Sequence, residues 1–175
     1  VGKMAEFYLF GQLPNTDPTP DLEWGADIKA THFKTVWLKG FGAKERVTIT
    51  NCGNTDDYET FNEVMATASL QMNRYYSKIQ KGVLFVFEHK SGKYNDYETN
   101  LGKDLLCVFT YNLERLPFDI TEQLNADFAN IQHRIKTNTV SQRGQKYLHI
   151  HPHGSKGSKT RAFGFTNKFV TKLVS

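Results

Sequence analysis

The 175-residue sequence is poor in cysteine, with only Cys52 and Cys107, which lie far apart and match no metal-binding or redox spacing. A disulfide scaffold is therefore excluded, and a reducing compartment is expected. Long apolar runs are also lacking, since the longest, at residues 83–87, is far shorter than the ~20 residues of a membrane-spanning helix. No signal-peptide pattern opens the sequence. These features exclude secreted disulfide-rich and membrane-spanning proteins.

Acidic residues are missing from residues 128–175, which hold 9 Lys and Arg and four of the six His. Residues 1–127 hold the other 13 Lys and Arg and all 18 Asp and Glu. A strongly basic segment on a folded chain indicates a polyanionic partner. We therefore predict nucleic-acid contact through residues 128–175, with a generally basic surface as the alternative.

The composition is that of a globular protein, with 39% hydrophobic residues and 13% aromatic residues. A chain of this length fits one compact domain, residues 1–175, with a core that needs no metal or disulfide staple. The sequence begins with Val1 rather than Met, so a second expectation is that it is a fragment or one domain of a longer protein.

Apolar spacing and turn residues predict a mixed α/β fold, with a central mixed sheet flanked by helices. The clearest helix runs from Phe61 to Ile79 at 3.6 spacing, with Asp56 or Asp57 as its cap and Gly82 as its stop. Other helices are predicted at residues 3–10, from the capping box at residues 119–122 onward, and at residues 167–174. Strands are predicted at residues 26–38, 46–51, 83–87, 105–109, 147–150 and 162–165, with 83–87 and 105–109 buried on both faces.

The sharpest chemical pattern is Pro20-Asp21 followed by Asp27 and Lys29. Asp27 and Lys29 are two residues apart on a predicted strand, so both project from one face, and Asp21 could fold back onto that strand. Two carboxylates can hold Mg²⁺ through hard oxygen ligands, while a lysine supplies positive charge where a phosphodiester transition state gathers negative charge. The alternative is a loop aspartate beside a solvated Asp/Lys pair.

Six segments in the same order carry a resemblance to a known nuclease family. They are residues 1–6, 20–30, 43–50, 78–87, 147–154 and 161–169. Together they resemble the MutH/Sau-type branch of the PD-(D/E)xK nucleases, which contains a mismatch-repair nicking enzyme and GATC-cutting restriction endonucleases. The resemblance implies a restriction-endonuclease-like fold.

The resemblance also implies roles for individual residues. Asp21 and Asp27 would be the Mg²⁺ ligands and Lys29 the catalytic lysine. Glu6 would be a further acidic member of the site, and Lys78 a second lysine near the scissile phosphate. The alternative for Glu6 is an ordinary solvated helix carboxylate, and that for Lys78 is a cation placed favourably at a helix C-terminus.

A histidine-rich segment, His149, His151 and His153, alternates along a predicted strand. Zinc chelation is one interpretation, but a structural zinc site normally needs a fourth ligand, and the cysteines are far away in the sequence. The favoured interpretation is DNA contact, with imidazoles near the bases and the following cations on phosphates; for His149 the alternative is a strand residue satisfied by the core. The predicted DNA-binding residues are His151, His153, Lys156, Lys159 and Arg161.

The sequence therefore predicts a Mg²⁺-dependent type II restriction endonuclease that cleaves double-stranded DNA at a short, GATC-like site. The alternatives are a MutH-like strand-nicking repair endonuclease and a non-catalytic DNA-binding or effector domain of a two-domain restriction enzyme. Cleavage of both strands requires two active sites or two binding events, so dimerisation on DNA or a second domain upstream is expected. The resemblance implies a prokaryotic cytoplasmic protein, and no membrane partner is expected.

Overall fold

The computed structural model describes residues 2–11, 13, 19–36, 40–55, 58–89, 103–140 and 144–175. Five α-helices and seven strands lie in these ranges, joined in part by short 3₁₀ turns at Leu70–Met72 and Leu113–Arg115. The helices are α1 (Gly2–Phe10), α2 (Tyr58–Ala66), α3 (Tyr76–Ile79), α4 (Phe118–Lys136) and α5 (Asn167–Val174). The strands are β1 (Asp27–Val36), β2 (Gly40–Ala43), β3 (Val47–Asn54), β4 (Lys81–Glu88), β5 (Leu105–Asn112), β6 (Leu148–Pro152) and β7 (Thr160–Phe165).

The protein has a mixed α/β fold, as predicted, but its strands form two sheets rather than one. The larger sheet has the order β2-β1-β4-β5, in which β1 and β4 are parallel and the outer pairs antiparallel. The smaller sheet, β3-β7-β6, is antiparallel. The two sheets diverge after β2, where Lys44 N donates to His32 O at 2.8 Å and the chain turns away to pair β3 with β7.

One hydrophobic core joins the two sheets and is covered by α4 and α5. It combines Phe33 of β1, Leu84 of β4, Phe163 of β7 and Phe128 of α4. The other face of the larger sheet carries a smaller cluster around Ile28 and residues of β4. Because side chains alternate along a strand, β1 therefore presents Asp27, Lys29 and Phe33 toward the main core.

The prediction of a single helix between Phe61 and Ile79 is wrong, because this part of the chain forms α2, a 3₁₀ turn and α3. The break occurs where side chains compete for the backbone groups. Gln132 Nε2 donates to Val64 O and Thr67 O, both at 2.8 Å, and Asn73 Oδ1 accepts from Tyr75 N at 3.0 Å. The predicted caps Asp56 and Asp57 lie outside the described residues.

Two further expectations are corrected by the sheet order. Gly82 is not a helix stop but a buried residue of β4. The strand predicted at residues 105–109 is not buried on both faces, because β5 is the edge of its sheet and leaves Leu105 and Val108 about half exposed. In addition, α4 begins at Phe118 after Pro117, and Asp119 lies inside its first turn rather than at its cap.

The remaining predicted elements are confirmed to within a few residues. In particular, α1 ends at Gly11, which has a φ of +66°, and α5 spans the expected residues 167–174. The position of β6 is fixed by Asp127 of α4, whose carboxylate accepts hydrogen bonds from three successive backbone amides at residues 146–148. Among the described helices, none is both long enough and apolar enough to cross a membrane.

Candidate functional site

The turn before β1 folds the first aspartate of the motif back onto the strand. Leu22 N donates to Ala26 O at 2.9 Å, and Gly25, with a φ of +81°, allows the tight reversal. Asp21 Oδ2 then accepts a hydrogen bond from Ile28 N at 2.8 Å. The predicted return of Asp21 to the strand is therefore confirmed.

Asp27 and Lys29 lie on one face of β1 and form an ion pair between Asp27 Oδ2 and Lys29 Nζ. Asp27 is fully buried, with 0% of its surface exposed. Lys78 comes from α3, distant in sequence, and its Nζ lies 3.6 Å from the second oxygen, Asp27 Oδ1. We call Asp21, Asp27, Lys29 and Lys78 the carboxylate–lysine cluster. The fold brings together four of the five residues predicted for the catalytic site.

The fifth residue, Glu6, does not join the cluster. Glu6 is half-buried on α1, and no hydrogen bond or ion pair between described residues links it to Asp27 or either lysine. The end of α1 packs Phe10 edge-on against Phe85, with ring centroids 6.2 Å apart. Phe85 belongs to the smaller apolar cluster, so this contact lies on the face of the sheet opposite Asp27.

Burial dominates the electrostatics of Asp27. Desolvation raises the pKa of Asp27 to about 6, and the charge of Lys29 only partly offsets this rise. A hydrogen bond shared with the Asp21 carboxyl raises the pKa of Asp27 further. No well-aligned hydrogen bond from the described part of the chain satisfies either Asp27 oxygen in its ionised form. An ionised Asp27 therefore requires positive charge beside it.

The donor set of the cluster fits a Mg²⁺ ion. Carboxylate oxygens are hard ligands, and Mg²⁺ is commonly bound by one or two carboxylates while water and substrate phosphate complete its shell. Asp21 and Asp27 supply two such groups, which meet at the start of β1. Within the described ranges, no group of three or more His, Cys, Asp or Glu side chains is arranged to hold a metal ion. The residues thus fit a two-carboxylate site and not an all-protein cage.

Two residues beside the cluster were not identified from the sequence, Gly82 and Tyr111. The strand register places Asp27 opposite Gly82 and Gly82 opposite Tyr111, in one row across β1, β4 and β5. Tyr111 also lines a cleft of about 510 Å³ together with Trp24 and Lys81. The only sequence signal was a glycine next to an apolar strand, which can mark a close approach of another group.

The histidine segment forms a different site on the smaller sheet. His149 and His151 stack with ring centroids 4.7 Å apart, and His151 Nε2 lies 3.1 Å from Thr48 Oγ1. Both rings lie over Gly164, since a Cβ placed there would be 2.9 Å from His151 Cε1 and 3.0 Å from His149 Nε2. We call Thr48, His149, His151 and Gly164 the histidine face.

Burial keeps the histidine face uncharged. Desolvation lowers the pKa of His149 to about 4 and that of His151 to about 3, and the neighbouring positive charge of Arg46 acts in the same direction. His151 is only 4% exposed and is therefore not available for the base contact predicted for it. A cleft of about 880 Å³ adjoins this face and is lined by Lys44 and Arg46, which the sequence analysis did not single out.

The loop after β6 separates the other predicted DNA-binding residues into two groups. His153, Lys156 and Lys159 are exposed around a turn that contains Gly154 and Gly157, both with positive φ. Arg161 is instead only 8% exposed, and its guanidinium donates to Ser158 O and Thr160 O at 3.0 and 3.1 Å. Arg161 therefore supports the loop from inside rather than presenting its charge to a phosphate.

Comparison with known proteins finds no protein-family model that matches the chain and no curated protein that matches it.

Proposed function

We propose that this chain is a Mg²⁺-dependent endonuclease that cleaves double-stranded DNA at a short site, in the manner of a type II restriction endonuclease. The observation that supports the proposal is the convergence of Asp21, Asp27, Lys29 and Lys78 at one end of β1. Lys78 was predicted only from the resemblance to the MutH/Sau-type nucleases, yet its ammonium group faces the same carboxylate as Lys29.

Within this proposal, Asp21 and Asp27 would hold the metal ion. When bound there, Mg²⁺ supplies Lewis-acid polarisation of a phosphoryl oxygen and lowers the pKa of a water molecule. The backbone hydrogen bond from Ile28 fixes one oxygen of Asp21, and burial fixes Asp27. These restraints keep the carboxylates in place and reduce reorganisation when substrate binds.

The two lysines supply charge for the transition state. Lys29 and Lys78 flank Asp27, and their side chains are 18% and 11% exposed, so their ammonium groups lie at the border between protein and solvent. A scissile phosphate next to Asp27 would therefore meet two positive charges in a partly desolvated place, where electrostatic stabilisation is stronger than in water.

Basic groups on the loop after β6 and along the cleft beside the histidine face are suited to holding the duplex. Lys156 and Lys159 extend from the loop after β6, and Lys44 and Arg46 line the cleft beside the histidine face. Cations at such positions contact phosphates without reading sequence, whereas the exposed imidazole of His153 on the loop is suited to a base edge.

A plasmid assay tests the proposal. Supercoiled plasmid carrying methylated, hemimethylated or unmethylated GATC sites is incubated with the protein and Mg²⁺, and the products are separated on a gel. We expect linear DNA from the wild type, and Asp21→Ala or Asp27→Ala should lose cleavage while binding DNA. Lys29→Ala should lose about 10²–10³-fold in rate.

Exposed residues provide matched controls, because Asp119 and Lys172 form a distant surface pair at 3.7 Å. Asp119→Ala and Lys172→Ala should cleave like the wild type. Nicked circles as the sole product would favour the strand-nicking alternative. DNA binding without any cleavage would replace the proposal with a non-catalytic binding domain.

A further inference from the structure

The space above Gly82 is occupied by the ring of Tyr111. A Cβ placed on Gly82 would lie 2.6 Å from both Cε1 and Oη of Tyr111 and 2.7 Å from Cζ. The backbone of Gly82 has no positive φ, so glycine is required here for space and not for conformation. The phenol thus reaches across β4 from β5, in the row that ends at Asp27 on β1.

The hydroxyl of Tyr111 is buried at the site without a hydrogen-bond partner among the described residues. The oxygens of Asp27 are likewise buried without a well-aligned donor. A buried phenol normally finds an acceptor, because an unmade hydrogen bond is costly. The Tyr111 hydroxyl is therefore a donor without a described acceptor, in the same row as a carboxylate without a well-aligned donor.

We propose that Tyr111 is a positioning residue of the metal site, whose hydroxyl orients the Asp27 carboxylate from across Gly82. The inference rests on the proposed function, because it assigns Asp27 as a metal ligand. Groups that hold a metal ligand in place from outside commonly contribute 10–100-fold to metal affinity. Tyr111 therefore acts through Asp27 and does not itself touch the substrate.

Removal of the hydroxyl alone provides the test. Full-length wild type, Tyr111→Phe and Tyr147→Phe are titrated with Mn²⁺ in the absence of DNA, and free Mn²⁺ is measured by its electron paramagnetic resonance signal. Tyr147 is also buried, but its ring stacks on Phe169 at 4.8 Å, away from the cluster. We expect Tyr111→Phe to bind Mn²⁺ about 10-fold more weakly and Tyr147→Phe to bind it like the wild type.

Thermal melting separates positioning from a purely structural role. Because Tyr111→Phe removes a buried hydroxyl without a described partner, it should melt no lower than the wild type. Unchanged Mn²⁺ affinity, or weaker affinity accompanied by a large loss of Tm, would overturn the inference. As a second variant, Gly82→Ala should displace the phenol and so weaken Mn²⁺ binding when it is the only substitution. Combined with Tyr111→Phe, it should add little to the loss of Mn²⁺ affinity that Tyr111→Phe already causes.

The same measurements distinguish failure of this inference from failure of the proposed function. If the wild type binds Mn²⁺ but cuts no DNA, the proposed nuclease activity is overturned. Weaker Mn²⁺ binding by Tyr111→Phe would still support the role of Tyr111 at the metal site. Normal cleavage with equal Mn²⁺ affinity in Tyr111→Phe would overturn the role of Tyr111 alone. A wild type that binds no Mn²⁺ would overturn both.

Discussion

The carboxylate–lysine cluster and the histidine face both contain polar residues that alternate along a strand, and burial shifts their pKa values in opposite directions because it disfavours the charged form of each. At the cluster, Asp27 is buried beside Lys29 and Lys78, and desolvation raises its pKa to about 6. On the histidine face, His149 and His151 are buried beside Arg46, and their pKa values fall to about 4 and 3.

The difference shows what an opposite charge contributes to a buried group. Near neutral pH, Asp27 is largely ionised because the charge of Lys29 offsets part of the rise caused by burial and the pKa stays near 6, which leaves a charged site suited to a cation. The histidines stay neutral because burial and the positive charge of Arg46 both disfavour their charged forms, so the face is a packing surface with hydrogen-bonding edges. The first arrangement fits the proposed metal site, and the second supports the fold beside the cleft lined by Lys44 and Arg46.

The largest expected effect is an opposite pH dependence of stability in the two regions, measured by denaturant unfolding in EDTA. The pKa of Asp27 is 3.8 in the unfolded chain and about 6 in the folded protein. Between these values the folded protein holds a proton that the unfolded chain has lost, so the stability of the protein falls as pH rises from about 4 to 6. Asp27→Asn should therefore be more stable than the wild type at pH 7.5, by up to about 3 kcal/mol, and equal near pH 3.5. Asp119→Asn, on the surface, should show no such gain.

The histidines should behave in the reverse sense. A depressed histidine pKa gives stability that is complete above about pH 6.5 and is lost as pH falls toward 4 for His149. His149→Gln should reduce the slope of stability against pH in this window by up to about 1.4 kcal/mol per pH unit. His133→Gln, exposed on α4, is the matched control. An unchanged slope in His149→Gln would mean that this ring takes up its proton as readily in the folded protein as in the unfolded chain.

A smaller difference is expected between the two glycines that make room for rings in these regions. A Cβ at Gly164 would lie 2.7 Å from Val47 O, a backbone atom held by the sheet, so Gly164→Ala should destabilise the protein by about 1–3 kcal/mol or more. At Gly82 the obstacle is the side chain of Tyr111, which can shift, and the loss of stability should be smaller.

Gly42→Ala is the control for this pair. A Cβ there would meet only the Thr171 side chain, at 3.1 Å, and we expect the smallest loss of the three. Guanidinium unfolding of the three variants would measure the order. Greater stability in Gly164→Ala than in Gly82→Ala would contradict the close approach of the Val47 carbonyl to Gly164.

The smallest expected effect concerns the loop after β6. Lys156 is exposed, so Lys156→Ala should weaken DNA binding equally on all sequences and lower the dependence of log affinity on log salt concentration by about 0.9. Arg161→Ala should instead lower stability, because its guanidinium supports the loop carbonyls. Fluorescence anisotropy at several salt concentrations, with Lys172→Ala as the control, would measure the first effect.

Local spacing was enough to predict the α/β class, most element positions and the meeting of Asp21, Asp27 and Lys29. Alternation put Asp27 and Lys29 on one face, and the short turn before β1 was able to return Asp21 to that strand. The resemblance added Lys78, whose place at the site no local pattern indicates.

Which polar groups are buried, and with what partners, could not be predicted from local spacing. Sheet order made β5 an edge and placed Tyr111 across Gly82 from Asp27, and Gln132 ended α2 through contacts from another helix. Burial removed His151 and Arg161 from the predicted DNA contacts, and no contact between described residues links Glu6 to the cluster. Such outcomes depend on contacts between residues distant in sequence, and desolvation, which sets the charge of Asp27 and the histidines, arises only when these contacts form.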